Sequence, residues 1–476
     1  MFFNSLEYAI FLPIVFILFW VFFYRSFRLQ NILLLISSYV FYAWWDWRFL
    51  FLLIFSTSLD FYTGIKIESS KNPSQKRFWF WLSILVNLGF LGIFKYYNFF
   101  IESFAEGLKM FDIQSNFWSL KIILPVGISF YTFHGLSYVI DIYNKRIKAE
   151  KNVVDYSLFV SFFPLLVAGP IERATHLLPQ IKEKRVFNYS KALDGMRQIL
   201  WGLFKKVVIA DNCASYANEI FAHPDTSNGS TLALGAVFFA FQIYGDFSGY
   251  SDIALGTARL FGYELLQNFK FPYFSRNIAE FWKRWHISLS SWFRDYLYIP
   301  LGGNANGKTN TIRNTFIIFL VSGFWHGASW NFIIWGFLHA LFFLPLLLMN
   351  QTKIKGIAAE NSILPSIKEF LQITLTFTLV CIAWVFFRAE TLSKSLTYLN
   401  NLFSSNILSK PQTSIAPLFL ITFLIGIEWI QRKKSHALQI DMIKQKGMRW
   451  GIYLTLCFVI LFGTKSEVFT FIYFQF

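Results

Sequence analysis

The chain has 476 residues, of which 55% are apolar, 21% aromatic and only 15% charged, and its formal net charge is +16. A soluble domain carries about 25% charged residues, so an ordinary cytosolic enzyme is excluded. Sixty Phe, 22 Tyr and 17 Trp exclude intrinsic disorder, and three cysteines, Cys213, Cys381 and Cys457, exclude a disulfide framework.

The apolar content would furnish at most about 13 crossings at about 20 residues each. Basic residues form short clusters between the apolar runs: Arg25 and Arg28; Lys66, Lys71, Lys76 and Arg77; Lys145, Arg146, Lys148 and Lys151; Lys182, Lys184 and Arg185; and Arg432, Lys433 and Lys434. Polytopic proteins mark their cytoplasmic loops in this way. A nucleic-acid binder needs one continuous basic face instead, so no nucleic-acid partner is expected.

The first run, Tyr8 to Tyr24, has no basic residue before it and two soon after it. That order predicts an uncleaved span with the N-terminus outside and Arg25 in the cytoplasm. Further spans are expected at about 31–45, 49–65, 78–98 and 122–142. The 99–121 connection sets Glu102, Glu106 and Asp112 against Lys109 and Lys121, which fits the outer side. The run 156–170 ends in Gly169-Pro170 and is too short to cross, so it reads as re-entrant or shallow. Spans follow at about 194–221 and 231–247. Residues 248–300 are aromatic-rich yet carry ten charged residues from Asp252 to Asp295, a load expected of helices in the membrane plane or lining a wet funnel. Thr315 to Met349 is too long for one span and is interrupted by Gly323 and Gly327. Later spans read at about 370–388, 415–431 and 450–463. No internal repeat appears, and the expectation is a single membrane domain over 1–476 with about eleven crossings.

Two histidines stand out. His326 lies in Gly-Phe-Trp-His-Gly-Ala-Ser-Trp within the long apolar stretch. An imidazole there costs free energy unless it is paired or faces a cavity, and burial keeps it neutral. It reads either as a general base, able to take a hydroxyl proton, or as a packing histidine bonded to a carbonyl. Gly323 and Gly327 beside it permit close approach of another chain or a ligand. His286 follows Phe281-Trp-Lys-Arg-Trp. Apolar residues at 278, 281, 282, 285, 289, 292, 293 and 296 predict one amphipathic helix with His286 on its inward face. Again two readings stand, a second catalytic group or an interfacial helix whose histidine bonds in the core.

The remaining histidines carry less. His134 in its apolar run reads as structural, His176, His223 and His436 as loop residues, and His339, 13 residues after His326, does not share a helix face with it. No metal-ligand spacing, nucleophile elbow, phosphate loop or dinucleotide fingerprint is present, so no metal or permanently bound cofactor is expected. Gly302-Gly303 reads as a turn. The terminal Phe471-Ile-Tyr473-Phe-Gln-Phe476 falls on the outer side by alternation, where an aromatic interface anchor is expected.

Several stretches carry a resemblance: Gly245-Asp-Phe-Ser-Gly-Tyr-Ser-Asp252, the run Asn268 to Asn277, Phe281 to His286, Arg294 to Gly303 and Trp325-His326-Gly327, with Pro125 to Phe133 and Phe163 to Glu172. Together they closely resemble the membrane-bound O-acyltransferase family, in the bacterial branch of alginate O-acetylation and teichoic-acid D-alanylation proteins, over almost the whole chain. The resemblance implies an all-α polytopic bundle of about eleven transmembrane helices plus re-entrant or interfacial helices, with cytoplasmic and extracellular funnels. It puts His326 on the family's essential histidine and His286 on the second one of this branch. It implies transfer of an acyl group, usually acetyl, from a cytoplasmic thioester donor such as acetyl-CoA or an acyl carrier. The acceptor would be an extracytoplasmic polysaccharide or cell-wall polymer, reached through an SGNH-like partner outside the bacterial inner membrane. The tail resembles the Phe-x-Tyr-x-x-Phe ending of D-alanylation systems, which implies an acyl-relay role for Tyr473. A glycan or lipid transporter without acyl chemistry, a D-alanyl transferase, and acylation of a lipid or small alcohol within the bilayer are the alternatives. Against the transporter stands the lack of paired broken segments, and against the last the bacterial-type His286 motif.

Overall fold

The computed structural model describes residues 1–113, 120, 123–167, 169–305, 307–353, 356–404, 407–463, 471 and 472. Among these, the regular structure is helical throughout and no strand occurs. The described chain packs into two compact units, residues 1–189 with 258–266, and residues 190–257 with 267–476.

The first unit contains α1 (Leu6–Ile17), α2 (Phe27–Ala43), α3 (Arg48–Ser69), α4 (Pro73–Leu91), α5 (Tyr97–Lys109), α6 (Ile128–Tyr143), α7 (Val153–Ser161), α8 (Phe163–Leu166) and α9 (Ala174–Lys182). Local chemistry sets the starts: Ser5, Ser26, Asn72 and Asn152 each accept a backbone N–H of the following turn, and Pro73 opens α4 where its missing donor costs nothing. A buried polar cluster sits within its apolar interior. Asp60 accepts from Ser83 Oγ at 2.6 Å and Asn87 Nδ2 at 2.8 Å, while Ser56 Oγ donates to Asn87 Oδ1 at 2.7 Å. Gly135 makes room for this carboxylate, since a Cβ there would lie 1.9 Å from it. The expected short run 156–170 is nearly all buried.

The second unit contains α10 (Tyr189–Leu203), which starts at its boundary, α11 (Asp211–Ala222), most of α12 (Gly229–Leu260), α13 (Ile278–Trp282), α14 (Ile287–Phe293), α15 (Gly307–His326), α16 (Trp330–Leu348), α17 (Ile367–Arg388), α18 (Leu392–Ser404), α19 (Ala416–Ile430) and α20 (Lys446–Gly463). Helix α10 widens into a π-turn over Phe204–Ala210 that carries Lys205 and Lys206. Both ammonium groups are buried and paired, Lys205 with Asp252 at 2.6 Å, and Lys206 with Asp211 at 2.7 Å and Asp246 at 3.0 Å. These pairs let α12 run on to Leu260, well past the expected end at 247, because each carboxylate has a cation beside it. Small residues bring the backbones together: a Cβ on Gly202 would lie 2.5 Å from the Gly249 carbonyl.

Six helical runs among the described residues are long and apolar enough to cross a membrane: Arg48–Ser69, Pro73–Lys109, Gly229–Leu260, Trp330–Leu348, Ile367–Arg388 and Lys446–Gly463. Leu6–Phe22, Val153–Leu166 and Ala416–Ile430 are apolar but shorter. Several expected spans are thus divided: 194–221 is split by the π-turn and 122–142 keeps only α6. Lys121 lies outside the described residues.

Candidate active site

The long stretch 315–349 is a helical hairpin within the second unit. Helix α15 ends at His326, and Ser329 caps α16 by accepting the Asn331 N–H at 3.3 Å. The two backbones touch, since a Cβ on Gly323 would meet the Phe332 carbonyl at 2.2 Å and one on Gly336 the Phe319 carbonyl at 2.2 Å. The space beside Gly327 is filled by the Phe332 ring. The neighbour these glycines admit is therefore the chain's own α16, and their smallness serves the hairpin.

His326 is 4% exposed. Its ring lies 4.8 Å from Trp325, 4.9 Å edge-on from Trp335 and 5.3 Å from Phe387. The His286 ring is 6.5 Å away. The structure thus brings together the two histidines singled out by sequence, from segments 40 residues apart.

The single amphipathic helix expected over 278–296 is not formed. It breaks after Trp282, and α14 restarts at Ile287 with His286 in the left-handed region at φ 44°. The cause is pairing with the preceding irregular segment: Lys270 N–H donates to the Arg284 carbonyl and Ile287 N–H to the Asn268 carbonyl, each at 2.9 Å. Those bonds take backbone groups that a continuous helix would use. Holding a non-glycine residue there costs about 1–2 kcal/mol, which the surrounding bonds offset. His286 is fully buried, with Phe247 edge-on at 4.7 Å, and its Nδ1 lies 3.0 Å from Asn268 Oδ1. Burial alone pushes its imidazole down to about 3, so the ring is neutral near pH 7. Close by, although burial acts to raise it, the Arg276 and Arg284 guanidiniums hold the Glu280 carboxyl below its ordinary value.

Sequence reasoning passed over His339. Helix spacing does separate it from His326, but the hairpin returns it to the same wall, with Trp335 4.9 Å from both rings. Trp282 Nε1 donates to its Nδ1 at 3.3 Å. Asn268 and Ser288 were likewise unmarked as site residues; Ser288 Oγ donates to Asn268 Oδ1 at 2.9 Å. No local pattern signals these partners.

A cavity of about 300 Å³ reaches this wall. Trp282, Phe319 and Ser322 line it, with Arg294, Tyr298 and Asn304 among its other lining residues. Ser322 is one helical turn before His326. The mouth is shaped by the expected turn, where Gly302 and Gly303 have positive φ and Asn314 Nδ2 donates to the Leu301 and Gly303 carbonyls. Two buried imidazoles set among indoles, with a cavity one helical turn from His326, suit proton transfer from a hydroxyl with water kept out. No group of three or more His, Cys, Asp or Glu that could hold a metal occurs among the described residues.

The other histidines separate clearly. His134 Nε2 accepts the Glu172 N–H at 3.1 Å, and His176, on α9 and not in a loop, binds Glu172 Oε2 at 2.8 Å, both within the first unit. His436 is buried against Asp194 at 3.0 Å. Tyr473 and Phe476 lie outside the described residues. Phe471 and Ile472 are buried against the second unit, not set out as an interface anchor: Phe471 packs 4.5 Å from Tyr250 and 6.0 Å from Phe247, and Ile472 N–H donates to Asp246 Oδ2 at 2.7 Å.

Comparison with known proteins places these residues in context. Residues 144–354 match the model of MBOAT, the membrane-bound O-acyltransferase family. The chain is 42% identical over 368 residues to a probable alginate O-acetylase AlgI of Pseudomonas syringae pv. tomato, covering 77% of this chain and 68% of that protein. It is 34% identical to a peptidoglycan O-acetyltransferase of Helicobacter pylori, covering 93% and 91%. To a teichoic acid D-alanyltransferase of Bacillus subtilis it is 28% identical, covering 57% and 70%.

Proposed function

Because the chain belongs to the membrane-bound O-acyltransferase family, and is an acyltransferase of the membrane, we propose that it carries acetyl groups from a cytoplasmic thioester to the hydroxyls of an extracytoplasmic polysaccharide or cell-wall polymer. The donor in this reading is acetyl-CoA or an acyl carrier, used as a substrate. His326 takes the proton of the accepting hydroxyl as its oxygen attacks the thioester carbonyl. The carbon–sulfur bond breaks, and the leaving sulfur receives that proton back, so the imidazole ends neutral. A thioester is already activated, and what the site must add is orientation, proton removal and exclusion of water.

The observation that carries this reading is the meeting of His286 and His326 at 6.5 Å in a buried aromatic pocket, with a 300 Å³ cavity ending one turn away. The transporter reading, which needs no such pair, is set aside by family membership. Acetyl is preferred to D-alanyl because the relatives that match over the greater part of the chain are named for O-acetylation. An SGNH-like partner outside the membrane would complete transfer to the polymer, with the N-terminus on that same side.

Tyr473 enters as an acyl relay. The support is twofold, the Phe471-x-Tyr473-x-x-Phe476 pattern and the burial of Phe471 against Phe247, whose ring abuts His286. Replacing Tyr473 with Phe removes the accepting oxygen and should abolish polymer acylation; unchanged ester content would remove the relay and leave the tail a packing element. The primary test is His326→Ala in cells lacking the native chain. Surface O-acetyl esters measured by mass analysis should disappear while the variant stays in the membrane at normal amount. Normal ester content would overturn the proposal.

A further inference from the structure

We propose that Asn268 is a positioning residue which fixes His286 as its Nδ1–H tautomer, so that Nε2 presents a lone pair to the acyl-accepting hydroxyl. The role of that lone pair rests on the acyl-transfer reading above; the tautomer itself does not.

The Asn268 side-chain oxygen is a meeting point of donors. Ser288 Oγ approaches it at 2.9 Å, the Ser288 backbone N–H at 3.4 Å and His286 Nδ1 at 3.0 Å. A backbone N–H only donates, so the atom it faces is the amide oxygen and not the amide nitrogen. The nitrogen end is directed elsewhere, with Nδ2 donating to Ser251 Oγ at 3.4 Å. An amide oxygen only accepts, and His286 Nδ1 must therefore carry a hydrogen. A neutral imidazole has one, which leaves the lone pair on Nε2, on the far edge of the ring.

The backbone reinforces the assignment. The Asn268 carbonyl accepts the Ile287 N–H at 2.9 Å, so main chain and side chain of one residue hold both sides of His286. This arrangement accounts for the left-handed kink, because a continuous helix would carry the ring away from Asn268. In the proposed reaction His286 accepts a hydrogen bond from the hydroxyl and orients it, while His326 removes the proton.

The test uses the full chain in lipid nanodiscs with 15N-labelled histidine, the His286 resonances being assigned by their loss in His286→Gln. Wild type should show a protonated Nδ1 and an unprotonated Nε2. Asn268→Leu, which offers no acceptor, should shift the ring toward the Nε2–H form and lower kcat, by as much as about ten-thousandfold, with KM for the thioester little changed, as when an orienting partner is lost from a catalytic histidine. Asn268→Asp keeps an accepting oxygen and should restore the Nδ1–H form and most of the turnover. That rescue separates positioning from folding. An Nε2–H wild type, or a ring and turnover unaffected by Asn268→Leu, would overturn the proposal. A wild type with the Nδ1–H form but no acyl transfer would instead overturn the functional reading alone.

Discussion

His134 and His326 are equally buried, 1% and 4% exposed, and both sit in apolar helical runs, yet the two units use them differently. In the first unit, His134 Nε2 accepts a backbone N–H, from Glu172, and the same Glu172 uses its carboxylate to hold His176 and the Leu266 N–H. One imidazole there satisfies a backbone N–H and the other pairs with a carboxylate. In the second unit, the His326 and His286 rings lie 6.5 Å apart among indoles, with a cavity lined by Ser322 one helical turn from His326. Burial alone therefore says little about a membrane histidine. What differs is the setting: one imidazole satisfies a backbone N–H, the other lies against a second imidazole one helical turn from a cavity.

The contrast breaks most sharply under matched substitutions. His326→Ala should lower acyl transfer per folded molecule by about a hundred- to ten-thousand-fold with little change in thermal unfolding. His134→Ala should do the reverse, leaving activity per folded molecule near normal and reducing the folded amount, because the Glu172 N–H loses its acceptor at a cost of about 1–3 kcal/mol. Equal activity losses in both variants would erase the distinction. A milder probe is Gly336→Ala. Its Cβ would lie 2.2 Å from the Phe319 carbonyl, so α15 and α16 must separate, at about 1–3 kcal/mol, and the unfolding midpoint and activity should fall together. An unchanged midpoint would show that the pocket does not depend on that backbone contact.

The smallest effect concerns the first unit's stabilising role. Hydrogen bonding to Glu172 raises the His176 pKa above 6.5, with burial opposing and the carboxylate charge assisting. A raised folded-state value means the pair's contribution is fully present below about pH 6.5 and is lost as pH rises through the folded-state pKa. His176 is partly exposed, so the contribution is under about 1 kcal/mol after solvent screening. Unfolding midpoints measured from pH 5 to pH 9 should decline slightly through that window in wild type, and His176→Gln should flatten the decline. A decline that persists in the variant would place the titrating group elsewhere.

Much of this protein is legible in one dimension. Hydropathy identifies a polytopic helical chain because a bilayer demands apolar runs of set length, and Gly323 and Gly327 mark the interruption at which α15 and α16 fold back. His326 and His286 are conspicuous because ionisable groups in such runs are costly, and the motifs around them carry the family. Partner choice is not legible. The kink at His286, the return of His339 to the Trp335 wall, the cations beside Asp246 and Asp252, and the burial of Phe471 all depend on residues far apart in the chain. Periodicity predicts a helix through His286 because it registers side-chain spacing. It cannot register that the Asn268 carbonyl, 19 residues earlier, will claim the Ile287 N–H. Apolar burial is additive along a sequence and can be read from it, whereas hydrogen bonds and ion pairs need two particular groups within about 3 Å, and only the packed helices determine which two meet.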